Sequence, residues 1–131
     1  MTSEFTVSDI IPASPQEIYD TWLDSHGHSQ MTGSPAHATA NVGDSFDAWE
    51  GHITGKNLEL EPGKRIVQSW RAADYTESDG HSQIEVALET VEGGTKITLT
   101  HRNVPDNQTG HQAGWLSHYF EPMKHYFGES K

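Results

Sequence analysis

The sequence predicts an α+β fold in which a curved antiparallel β-sheet of about six or seven strands wraps around a long C-terminal helix, with two short helices after the first strand. Three observations predict it. A well-signed helix start at Ser14 follows a first strand, the apolar period is two from Ala38 to His101, and a helical period returns from about Gln112 to Phe127.

Phe5 to Ile10 alternates as a strand should, and Pro12-Ala13-Ser14-Pro15 breaks it. Ser14 is placed to accept from the amide of Glu17 while Glu17 reaches back, and Pro15 falls at the first helical position, where its missing N–H costs nothing. Ile18, Tyr19, Trp22 and Leu23 then form the apolar stripe of a first helix. From Asp24 to Pro35 the chain is polar and small, which predicts a short second helical turn and a loop.

In the long central region Phe46, Ile53, Leu58 with Leu60, Ile66 with Trp70, Ile84 with Val86 and Leu88, and Ile97 with Leu99 alternate with polar neighbours, as half-buried antiparallel strands do. Pro62-Gly63, the polar run Asp74 to Gly80, and Gly93-Gly94 mark turns too short for parallel crossovers, so the sheet is expected to be a meander. On the last helix Leu116, Phe120, Met123 and Phe127 form one stripe, with Trp115, Tyr119 and Tyr126 beside it. Such a wide aromatic arc must lie against the inner face of the sheet. Pro122, inside this helix, predicts a kink.

A chain of 131 residues suits one domain, taken here as residues 1–131. Only 33% of it is apolar, yet it has 4 Trp, 4 Tyr and 4 Phe, so a few large rings must supply much of the core. A formal charge of −11 with no cluster of Lys or Arg argues against nucleic acid and anionic membrane surfaces as partners. The absence of cysteine removes disulfides, thiolate catalysis and thiolate-ligated metals. No apolar run reaches the roughly 20 residues that span a bilayer, and Met1 to Phe5 lacks the layout of a secretory leader, which predicts a cytoplasmic protein without membrane insertion.

Local sequences narrow the fold. His28-Ser-Gln-Met-Thr-Gly-Ser-Pro-Ala36, Gly43-Asp-Ser-Phe-Asp-Ala-Trp-Glu-Gly51 and the run from Ile53 to Arg71 resemble the family of homologues of the activator of the 90-kDa heat-shock chaperone's ATPase. Thr95-Lys-Ile-Thr-Leu-Thr, Asn103-Val-Pro105 and Gly114-Trp115 are similar to that family's final strand and helix. The resemblance implies the helix-grip fold shared with the START, birch-pollen-allergen and polyketide-cyclase-like groups. It also implies an apolar cavity between sheet and last helix, and a 90-kDa heat-shock chaperone as a candidate partner. It transfers no catalytic residue to any position here.

The candidate cavity lining consists of Trp22, Phe46, Trp49, Leu60, Trp70, Val86, Leu99, Trp115, Tyr119 and Met123, with His101 at the mouth in phase with Ile97 and Leu99. These rings would alternatively fill the core completely. His101 is the one position where an acid or base is conceivable, though a buried histidine satisfied by hydrogen bonds is the commoner case. His111, His118 and His125 recur every seven residues, about 10.5 Å along a helix, too far apart to share a zinc. The histidines, including His26 and His28, are therefore expected to be exposed and titrating, with no metal and no cofactor. Gly51-His-Ile-Thr-Gly55-Lys56 is one residue short of a phosphate loop and lies between strands, so it is rejected.

Three functions follow in order. The first is non-enzymatic binding of a small apolar or amphipathic molecule. The second is a co-chaperone-like interaction module, and the third a cyclase- or hydrolase-like enzyme built on His101. Oligomeric state is not readable from the sequence.

Overall fold

A computed structural model describes residues 2–49, 51–72, 82–105, 115 and 119–129. Six strands form one antiparallel sheet: β1 Thr2–Ile11, β2 Ser45–Ala48, β3 Ile53–Glu61, β4 Arg65–Ala72, β5 Ser82–Val91 and β6 Gly94–Pro105. Their spatial order is β1-β6-β5-β4-β3-β2, a meander from β2 to β6 with β1 returning to flank β6. Two helices, α1 Pro15–Trp22 and α2 Ser25–Thr32, follow β1, and α3 Glu121–Glu129 closes the described chain. This is the helix-grip arrangement. The turn at 74–80, the start of the last helix, Leu116, His111 and His118 lie outside the described residues.

The local chemistry accounts for the elements. Ser14 and Glu17 form the reciprocal capping box, with the Glu17 amide donating to Ser14 Oγ at 3.1 Å. α2 is longer than the turn expected. Asp24 caps it by accepting from the Gly27 amide at 2.7 Å, and Gly33 ends it at φ 82, where a side chain would be strained. The hairpins close at 62–64 and at Glu92-Gly93, as the glycines predict.

One expectation is corrected. Leu58 was expected in phase with Leu60, but a β-bulge falls between Asn57 and Glu59 and leaves Leu58 41% exposed. The extra residue turns Asn57 inward instead. Ahead of Pro122, Tyr119 and Phe120 take a π turn, and regular helix runs from Glu121. Proline lacks an N–H and crowds the carbonyl four residues back, and a wider turn before it relieves both.

The inner face of the sheet is built in rows. Asn57, Gln68, Ile84, His101 and Phe5 pair in succession across β3, β4, β5, β6 and β1, and Leu60, Ile66, Val86, Leu99 and Val7 form the next row. Phe120, Met123 and Phe127 bury the apolar side of the last helix in the same core. On the opposite face an ionic ladder crosses the strands. Glu4 meets Arg102, which shares Glu85 with Arg65, and Arg65 also reaches Glu59 and Glu61. Arg65, then Arg102, hold the Glu85 carboxyl below its ordinary range.

Candidate functional site

The last helix and α1 bring Trp115, Tyr119 and Trp22 together with Trp70 of β4. Trp115 stacks on Trp22 with centroids 6.3 Å apart and planes 16° apart, and it lies 4.8 Å from Trp70 and 4.7 Å from Tyr119. Phe46 reaches Trp70 from the edge strand β2 at 5.9 Å. Of the eleven sequence-predicted site residues, Trp22, Phe46, Trp70, Val86, Leu99, His101, Trp115, Tyr119 and Met123 are buried, and Trp49 and Leu60 are partly buried against them. The predicted set is therefore gathered in one place.

The polar groups of this cluster form two directional chains. In the first, the Trp115 indole N–H donates to His101 Nδ1 at 3.2 Å. Because an indole only donates, Nδ1 is the acceptor, and the proton of the neutral ring sits on Nε2. Nε2 then donates to Ser82 Oγ at 2.7 Å, and Ser82 donates onward to the Trp70 carbonyl at 2.9 Å. The Ser82–His101 pair has the spacing of a nucleophile and base but the opposite polarity, since histidine gives its proton to serine. His101 is fully buried rather than at a mouth, packed against Phe5 at 5.4 Å, and this geometry offers no general base.

The second chain begins at Tyr119, whose ring Trp49 meets edge to face. Tyr119 donates to His28 Nε2 at 2.9 Å, and His28 Nδ1–H donates to the Trp22 carbonyl at 2.8 Å. A carbonyl accepts only, so this histidine holds the opposite tautomer to His101. Trp22 Nε1–H continues to Gln68 Oε1 at 3.1 Å, and Gln68 Nε2–H to Asn57 Oδ1 at 2.9 Å. Asn57 Nδ2 ends the chain on the carbonyls of Thr39 and Asn41, each at 2.9 Å. Burial pushes the His28 imidazolium pKa down, against a smaller upward pull from the Trp22 carbonyl, and raises the Tyr119 hydroxyl well above its ordinary value. Both groups are held neutral.

Sequence reasoning missed His28, Asn57, Gln68 and Ser82. His28 was expected to be exposed, but it is 2% exposed, because the Gly27, His28, Met31 and Thr32 face of α2 turns inward. That helical spacing was readable once α2 was allowed a second turn. His26 and His125, by contrast, are exposed. Among the described residues no buried side-chain nitrogen or oxygen lacks a partner.

Trp49 is the outermost ring of the cluster. It meets Tyr119 edge to face at 6.0 Å, and its backbone has φ 56. A left-handed conformation at a bulky side chain costs on the order of 1–3 kcal/mol, so the docked indole must offset that strain.

Residues 12–128 match the family described as activator of Hsp90 ATPase homolog 1-like protein. The human activator of 90 kDa heat shock protein ATPase homolog 1 is 29% identical over 129 residues, covering 97% of this chain and 38% of the relative. The chain thus spans well under half the length of that curated relative. An Hsp90 activator from Plasmodium falciparum has a TM-score of 0.83 at 25% identity, covering 95% of this chain and 96% of the other. The Aha1 dimer from Colwellia psychrerythraea, at 22% identity, shares the fold with a TM-score of 0.77 over 92% of this chain and 93% of its own. No described helix is long and apolar enough to cross a membrane. The chain belongs to the activator of Hsp90 ATPase homolog 1-like family.

Proposed function

We propose that this chain is a non-enzymatic docking domain that binds a 90-kDa heat-shock chaperone and raises its ATPase rate. The observation that carries the reading is the family match across almost the whole chain, joined to a fold shared with an Hsp90 activator. The interior supports it. The described buried polar atoms are engaged, and among the described residues the Ser82–His101 pair runs in the wrong direction for catalysis, which favours the surface as the working part. The test is the steady-state ATPase rate of the host's 90-kDa chaperone titrated with this chain. A saturable increase supports the reading, and a flat response with no co-elution on size exclusion removes it.

A second reading is a small apolar or amphipathic ligand held between sheet and last helix. What favours it is the concentration of aromatic side chains in one cluster with a strained ring at its rim.

A further inference from the structure

Among the described residues the large apolar side chains left exposed are Ile10, Val42 and Leu58, at 49%, 62% and 41%. Exposed apolar residues scattered singly are ordinary, but Val42 and Leu58 are not scattered. Val42 immediately precedes Gly43 and Leu58 immediately follows Asn57, and the Gly43 amide donates to the Asn57 carbonyl at 2.8 Å. The two side chains therefore belong to one end of the β2–β3 edge, the end away from the turn at 49–52.

That end is held in place. Asn41-Val42-Gly43-Asp44 is a β-turn closed by the Asp44 amide on the Asn41 carbonyl at 3.3 Å, and Gly43, third in the turn, has φ 91, as a type II turn requires. Gly43 is also the left-handed residue of a bulge opposite Asn57, whose own amide donates to the Asp44 carbonyl at 3.0 Å. Side chains lock the turn: Asn57 Nδ2 donates to the Thr39 and Asn41 carbonyls, and Asp44 Oδ2 accepts from Thr39 Oγ1 at 2.9 Å and Asn41 Nδ2 at 3.3 Å. Asn57 is anchored in turn by Gln68 of the core. Val42, second in the turn, is thus an exposed apolar tip on a fixed base, and a tip ordered in advance loses little conformational freedom when it docks.

The charges nearby set the kind of partner. Asp44 stands two residues after Val42, and Glu59 follows Leu58 at the end of the ionic ladder. That ladder joins four carboxylates, Glu4, Glu85, Glu59 and Glu61, to two guanidinium groups, Arg65 and Arg102, so negative charge is in excess, and the exposed Lys56 offsets only part of it.

We propose that Val42 and Leu58 form a preformed docking tip that seats in an apolar pocket of a protein partner, bordered by lysine or arginine side chains. The proposal rests on the chaperone-docking reading and deepens it by naming the contact.

The test is the Kd of the host's 90-kDa chaperone for wild type and for Val42→Ser, Leu58→Ser and Val42→Ile. Each serine variant raises Kd about tenfold or more, whereas Val42→Ile stays within about twofold of wild type. All three keep the wild-type Tm, because the altered side chains lie outside the core. Wild-type Kd also rises between about 0.05 and about 0.5 M salt, as a basic rim requires. Gly43→Ala, where a Cβ meets nothing within 4 Å but the positive φ is strained, weakens binding without removing a contact. A wild type that binds, beside serine variants of unchanged Kd, overturns the docking tip and leaves the chaperone reading standing. An equal loss in Val42→Ile also overturns it, because apolar character is then not what the partner reads. Binding indifferent to salt overturns the basic rim. A wild type that neither binds the chaperone nor changes its ATPase rate removes the chaperone reading and the tip together.

Discussion

His28 on α2 accepts a hydrogen bond from the hydroxyl of Tyr119, 91 residues further along the chain, at 2.9 Å. This contact ties the short helices to the last helix through two buried, neutral side chains.

Removing the hydroxyl should therefore cost more than one hydrogen bond. Tyr119→Phe leaves the buried His28 Nε2 acceptor without its donor. The expected loss is about 1–3 kcal/mol in urea unfolding at neutral pH. A loss within error of zero would show that the hydroxyl is not engaged as described.

Stability should fall on acidification in a window set by His28. Burial holds its folded pKa below 6.5, whereas the unfolded chain titrates near 6.5. Below that pH the unfolded state binds a proton that the folded state refuses, so the contribution is complete above 6.5 and is lost as pH falls toward the native value. The limiting slope is about 1.4 kcal/mol per pH unit. Urea unfolding between pH 7 and 5 should show a shallower dependence for His28→Gln than for wild type, and equal slopes would contradict the assignment.

Gln68 links Trp22 to Asn57, and Gln68→Ala leaves an indole N–H and an amide oxygen unmatched in the core. We expect a loss of about 2–4 kcal/mol in chemical denaturation. Loss of order in the 39–41 loop, whose carbonyls Asn57 holds, should accompany it as faster hydrogen exchange.

Gly55 lies where a Cβ would run into the Ser69 carbonyl and the Phe46 ring. Gly55→Ala should destabilise by about 2–3 kcal/mol, because backbone and a core aromatic must both move. Thermal unfolding checks this, and an unchanged Tm would mean that β2 is placed differently.

The fold was legible because its signals are local. The capping box at Ser14 and Glu17, the period-two strands and the two glycine-bearing hairpins each depend on a few neighbouring residues. The candidate site was legible only in its apolar part, where the alternation of Trp70, Val86 and Leu99 carried the inward phase through to His101. Asn57 was missed because the bulge at Leu58 reverses the phase without a sequence mark, and a polar residue beside two leucines reads as the outward one. His28 was missed because α2 is weakly apolar and is held by tertiary contacts to Trp22 and Tyr119 rather than by propensity. The strain at Trp49 has no sequence signature at all.

Long-range ¹H–¹⁵N spectra of the imidazole rings test most directly whether the interior is closed on itself. At neutral pH His28 should be protonated on Nδ1 alone and His101 on Nε2 alone, as their fixed partners Trp22 carbonyl and Trp115 indole demand. A charged ring at either position, or His101 with its free lone pair on Nε2 facing Ser82, would contradict a self-contained, non-catalytic core.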